Sequence, residues 1–142
     1  MKTSTRLVVF TSVFMLFAAF YACTPDTPDP VVVDPRDKFE GNWTCQEFCS
    51  SDNTNTTFSV SISTNSTTES EILISNFSLL GAGYSAKGIV SDYNLTIPSQ
   101  TVSSNTVQGT GTMNTGQNSI SLSYTINDGA ATFSYTATYT KQ

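Results

Sequence analysis

From residue 119 onward the chain alternates, position by position, between apolar and hydroxyl side chains. Ile120, Leu122, Tyr124 and Ile126 interleave with Ser119, Ser121, Ser123 and Thr125. Phe133, Tyr135, Ala137 and Tyr139 interleave with Thr132, Ser134, Thr136, Thr138 and Thr140. A period of two sends successive side chains to opposite faces of an extended strand, so each run has one apolar face and one wet face, as antiparallel sheets do. Asn127-Asp128-Gly129 between the two runs predicts a hairpin, since type I′ turns demand positive φ. Upstream, Phe58, Val60 and Ile62 alternate with Ser59, Ser61 and Ser63. Tyr93, Leu95 and Ile97 alternate with Asn94 and Thr96 until Pro98, which is expected to stop that run. No stretch of residues 36–142 spaces its apolar positions as a helix would.

Eight strands are expected, near 42–48, 57–63, 70–77, 84–90, 93–97, 105–113, 118–126 and 131–140. Their connections are short, with turn residues at Ser91-Asp92, at Asn114-Thr115-Gly116-Gln117 and at the hairpin above. Sequential hairpin-linked strands of this number predict an all-β fold, an antiparallel up-and-down barrel that leaves no sheet edge exposed. A two-sheet β-sandwich is the alternative. Gly109 and Gly111 share one strand face, which points to a close approach where the barrel bends or a large ring packs.

The 20 serines and 23 threonines stand beside a charged fraction of only 12%, so hydroxyls build the solvated strand faces. There is no histidine. That removes Ser-His-Asp triads, Cys-His pairs and imidazole metal ligands. With 6 Lys+Arg against 11 Asp+Glu, the chain has no electrostatic footprint for nucleic acid. The acids of residues 36–142 are scattered singly, apart from Glu69 and Glu71, so no pair of convergent carboxylates is expected. An enzyme is not expected, nor any cofactor or metal.

The N-terminus sets the compartment. Lys2 and Arg6 precede an uncharged run from Leu7 to Ala22, shorter than the roughly 20 residues of a membrane-spanning helix. Residues 1–22 therefore read as a signal peptide. Phe20-Tyr21-Ala22-Cys23 resembles a bacterial lipobox, with a small residue just before the cysteine and Phe20 in place of the usual leucine. The resemblance implies cleavage before Cys23 and its lipidation, and several acyl chains on one residue give stable anchoring. Residues 23–35 hold four of the five prolines and three aspartates, an extended, self-repelling tether. From Cys23 onward 4 cations face 11 acids, a net of −7, so the acyl chains rather than charge must hold the chain to the membrane. The acidic tether is similar to the export tag of many Bacteroidota lipoproteins. That implies an outer-membrane, lipid-anchored and surface-exposed protein.

Phe39-Glu40-Gly41-Asn42-Trp43 carries a second resemblance. Its Gly-x-Trp resembles the motif that opens the first strand of lipocalin-like (calycin) barrels. In that family the tryptophan closes the barrel floor and a late basic side chain packs over it. The resemblance implies this pairing for Gly41, Trp43 and Lys141, the only late cation. More broadly, residues 38–142 look like small Bacteroidota envelope lipoproteins of lipocalin-like type, most of which have no assigned activity.

Cys45 and Cys49 are a candidate disulfide in an oxidising compartment. On one straight strand their Cα atoms would stand about 13 Å apart, against the roughly 4.4–6.8 Å a disulfide needs. The bond can form only if the strand bends or ends near Gln46-Glu47; otherwise both stay thiols. Gly81-Ala82-Gly83-Tyr84-Ser85-Ala86 spells a dinucleotide-like G-x-G-x-x-A. The Lys87-Gly88-Ile89-Val90 that follows is no helix, so a strand connection is expected instead. The aromatics Phe58, Tyr84, Tyr93, Tyr124, Phe133, Tyr135 and Tyr139 are read mostly as core. Two functions remain. One is a displayed structural or interaction module for a protein or glycan. The other is a carrier of a small apolar ligand. Short strands and many inward aromatics predict a filled interior, which favours the first.

Overall fold

The computed structural model describes residues 33–142; the predicted signal peptide, Cys23 and the tether as far as residue 32 lie outside them. Eight strands follow one another: β1 (Gly41–Cys49), β2 (Thr54–Thr64), β3 (Glu71–Ser75), β4 (Ser85–Ser91), β5 (Asn94–Val102), β6 (Asn105–Met113), β7 (Ser119–Asn127) and β8 (Thr132–Lys141). Each pairs antiparallel with its sequence neighbours, and β1 closes on β8 from Trp43↔Lys141 to Cys49↔Tyr135. The barrel, not the sandwich, is the fold.

The parity of the sequence decides what faces inward. Trp43, Cys45, Glu47 and Cys49 come from β1, Ile72 and Ile74 from β3, and Ile120, Leu122, Tyr124 and Ile126 from β7. These residues are buried, while the Ser and Thr between them face water. This polarity is the reverse of a membrane-spanning barrel, whose outer face is apolar.

The directions of the strands define two ends. The floor carries the start of β1, the turns after β2, β4 and β6, and the end of β8; the rim carries the other four connections. Residues 34–39 form a hydrogen-bonded turn (Asp37 N–H to Asp34 O, 3.1 Å; Phe39 N–H to Arg36 O, 2.8 Å) that lies on the floor. Arg36 Nη1 donates to the carbonyls of Asn65 and Thr68 at 3.0 and 2.7 Å. Lys38 reaches Asp92 at 3.0 Å and lies 3.8 Å over the Tyr93 ring. Asp34 belongs to this docked segment through its bonds to Arg36, so a residue read as tether packs with the barrel.

Three local expectations need correction. Pro98 does not stop its strand. β5 runs on to Val102, because one extra residue between Ile97 and Gln100 forms a bulge opposite β6, where the missing proline N–H breaks no ladder bond. Beyond Ile89↔Thr96 the β4–β5 ladder ends. There the Gln100 side-chain amide takes over, accepting from Lys87 N–H at 2.8 Å and donating to Lys87 O at 2.7 Å.

The β7–β8 hairpin exists, but as a four-residue loop. Asp128 Oδ1 accepts the N–H groups of Ala130 and Ala131, and only Gly129 has positive φ. The two-residue turn with both central residues left-handed is instead Ser103-Ser104 (φ 47° and 68°). Tyr84, read as core, is 52% exposed on the rim, since the chain leaves the ladder after Ser75 and the strand parity lapses with it.

Candidate functional site

At the floor, Trp43 is fully buried and its indole N–H donates to the Phe39 carbonyl at 2.9 Å. The Lys141 ammonium stands 5.2 Å from the indole ring centroid and donates to Lys38 O at 3.1 Å. Gly41 has φ 120°, and a Cβ placed on it would lie 3.6 Å from Lys141 Cε, so the Lys141 side chain passes directly over this glycine. The three motif residues Gly41, Trp43 and Lys141 thus meet in one cation-on-indole seal, and the floor is closed.

Cys45 and Cys49 are both buried, and both are free thiols. β1 runs unbroken through Gln46 and Glu47, so the candidate disulfide does not form: two side chains four apart on one straight strand cannot reach each other. Burial pushes the Cys45 thiol up to about 12, with the Glu47 charge adding to it. Among the described residues no three His, Cys, Asp or Glu side chains gather into a metal-holding group.

Towards the rim the interior turns polar. Glu47 is the one buried charged residue among those described, 7% exposed, and it accepts a hydrogen bond from the Tyr124 hydroxyl. The Tyr124 ring stacks on Tyr135 (centroids 5.3 Å apart, 15° between planes) and packs at 4.6 Å against Phe77. Phe77 comes from a single 3-10 turn, Phe77–Leu79, in the β3–β4 connection. Its ring plugs the barrel from the rim.

Burial raises the Tyr124 phenol well above its ordinary value, helped by charge on Tyr139 and Glu47. Tyr139 is raised by burial, then by Cys45 and Glu47. Its hydroxyl is buried and has no hydrogen-bond partner. Tyr135 rises to about 12, by burial and then by its hydrogen bond with Cys49.

Glu47 was legible in principle, because it shares inward parity with Trp43, Cys45 and Cys49. Phe77 had no signal, since its connection follows no strand period. The G-x-G-x-x-A segment forms a turn and the start of β4, without a helix.

On the outer wall, beside the β5 bulge, lies an open groove of about 410 Å³ lined by Ser99, Gln108, Thr110, Ser123, Thr125 and Ser134, among others. It offers hydroxyls and one amide, and no charge.

Fold and site together define a small, closed eight-stranded β-barrel with a sealed floor and a polar, aromatic-lined rim. No protein-family model matches the chain, and no curated protein matches it.

Proposed function

We propose that this chain is an envelope lipoprotein, lipidated at Cys23 and anchored in the outer membrane, that displays the barrel at the cell surface as a non-catalytic binding module. The observation that carries this reading is the asymmetry of the two ends. Residues 34–39 are pinned on the floor by Arg36 and Lys38, so the chain joins the barrel at its closed end and the rim is left for partners. A floor seal of tryptophan and lysine supports the likeness to lipocalin-like lipoproteins. The partner is a protein, a glycan or a small molecule met at the rim or the hydroxyl-lined groove.

A carrier of an apolar ligand is supported less well. Its ligand would have to share the interior with the Glu47 carboxylate, and Trp43, Phe39, Phe77 and Tyr139 already fill much of that space.

The test is metabolic labelling with an alkyne fatty acid in a bacterial host, followed by protease shaving of intact cells. Label on the wild type, none on Cys23→Ala, and loss of the barrel on shaving support the reading. Equal labelling of Cys23→Ala, or no label on either, overturns lipid anchoring. Full protection from protease while labelled overturns surface display.

A further inference from the structure

We infer that the rim end of the barrel binds a small arylalkyl amine, its ammonium pairing with Glu47 and its ring taking the place now filled by Phe77. The inference deepens the reading of the barrel as a binding module and rests on it.

The first argument is charge. Glu47 sits inside the barrel with a phenol as its partner and no cation beside it. All four described cations are engaged elsewhere: Arg36 with Asp34, Lys38 with Asp92, Lys87 with Glu71, and Lys141 with the Lys38 carbonyl and the Trp43 ring. A buried carboxylate is stabilised when a cation joins it. The rim connections contain Asp52 and Asp128 and no Lys or Arg, so an approaching cation is attracted and an anion repelled.

The second argument is the orphan hydroxyl. Tyr139 is 0% exposed and its oxygen has no partner, although nearly all buried polar atoms in folded proteins have one. Glu47 and Tyr139 are both buried on the paired strands β1 and β8, two residues apart in register (Cys45↔Tyr139, Glu47↔Ala137). Tyr124 holds Glu47 from β7, so the carboxylate and the orphan hydroxyl are near neighbours in the interior. An ammonium carries three donors and would donate to the carboxylate and to this free oxygen together. A neutral apolar guest would leave the carboxylate without a counter-charge and the Tyr139 oxygen without a donor. A metal ion lacks a ligand set among the described residues.

The third argument is the plug. Phe77 places an aromatic ring 4.6 Å from Tyr124, whose hydroxyl holds Glu47. A ring joined to an ammonium by a short alkyl chain reproduces that arrangement, with Tyr124 and Tyr135 available for cation–π contact. The plug sits on unfavourable backbone. Asn76, Ser78 and Leu79 all have positive φ (59°, 48° and 58°), which side-chain-bearing residues rarely adopt. Leu79 is 52% exposed, so of the turn's three residues Phe77 is the one large apolar side chain held in the core, with Leu80 packed against it just beyond.

The full-length chain in detergent micelles is titrated calorimetrically with phenethylammonium chloride, and separately with 2-phenylethanol as the neutral counterpart. The expected result is saturable one-to-one binding of the amine, at least tenfold tighter than any binding of the alcohol. Glu47→Gln, which still accepts from Tyr124, should weaken the amine at least tenfold. Tyr139→Phe removes an oxygen that stabilises nothing in the unliganded barrel, yet should weaken the amine several-fold. Trp43 emission checks that both variants remain folded.

Absence of saturable amine binding, equal binding of the alcohol, or unchanged affinity in both variants overturns the inference. Lipidation and shaving are read on separate samples. A negative titration therefore leaves the display reading standing, and a failed labelling leaves the titration interpretable.

Discussion

The Tyr124 hydroxyl donates to the Glu47 carboxylate inside the barrel, joining β7 to β1 through residues 77 positions apart in the chain. The bond lies in an interior lined mainly by apolar side chains, where a second buried phenol, Tyr139, has no partner. Two tyrosines of similar burial therefore have opposite energetic standing. Tyr124→Phe leaves a buried carboxylate without its donor and should cost about 1–3 kcal/mol. Tyr139→Phe removes only an unmet polar atom and should be neutral or stabilising by up to about 1 kcal/mol. Urea midpoints of the two variants decide the matter; equal losses would rule out the pairing.

Glycines at the β6 wall should be intolerant where one on the rim is not. A Cβ at Gly109 would overlap the Ser123 carbonyl oxygen and Tyr124, whereas a Cβ at Gly83 meets nothing within 4 Å. Gly109→Ala is expected to cost at least about 1–3 kcal/mol through forced backbone movement. Gly83→Ala should change stability by no more than about 1 kcal/mol, with a gain expected from the smaller entropy of its unfolded chain. Thermal unfolding of both variants tests the contrast.

The seam between β4 and β5 depends on one side chain. Gln100→Ala removes both bonds to the Lys87 backbone, at about 0.5–1.5 kcal/mol each. Amide hydrogen exchange at Lys87 should accelerate before exchange in the β7–β8 ladder does. Unaltered protection at Lys87 would show that the seam is held by something else.

Stability should form a plateau between about pH 5 and pH 9. On the alkaline side, the Cys45 thiol is raised from 9.0 to about 12, and Tyr124 and Tyr139 stand above 10.0. A raised group favours the folded state while it keeps its proton. That contribution is whole below the unfolded value and is lost as pH climbs towards the folded one. On the acid side, the Thr64 N–H holds Glu40 below 4.5, and the N–H groups of Ala131 and Ala130 hold Asp128 below 3.8. Their contribution is present above those values and lost as pH falls through the lowered ones. Melting temperatures across pH 2–12 trace this curve. At pH 8 the Cys45 thiol should resist iodoacetamide until urea is added, and the intact mass should show no loss of two hydrogens at Cys45 and Cys49.

Strand number, order and inward faces were legible because a period of two is a local property, and each strand of a closed barrel has one buried side. Where the backbone leaves that period, legibility ends. Pro98 reads as a stop because the bulge that accommodates it depends on β6. Tyr84 reads as core because nothing local shows that the chain has left the ladder after Ser75. Of the rim site, Glu47 lay in plain parity with Trp43 and Cys45, yet a lone glutamate acquires meaning only once Tyr124 and Tyr139 are seen to face it.

Alternation of apolar and hydroxyl residues, short turns and the absence of histidine by themselves determined an all-β barrel with a solvated outer wall and no imidazole chemistry. Those are consequences of side-chain direction and composition, which act over a few residues. Tertiary structure alone decided that the two thiols stay apart and that Phe77 closes the rim over a carboxylate, and it supplied the contact of Lys141 with Trp43 that the Gly-x-Trp resemblance had implied. Each of these depends on barrel closure, which brings distant segments together or holds near ones straight, and no local pattern encodes that geometry.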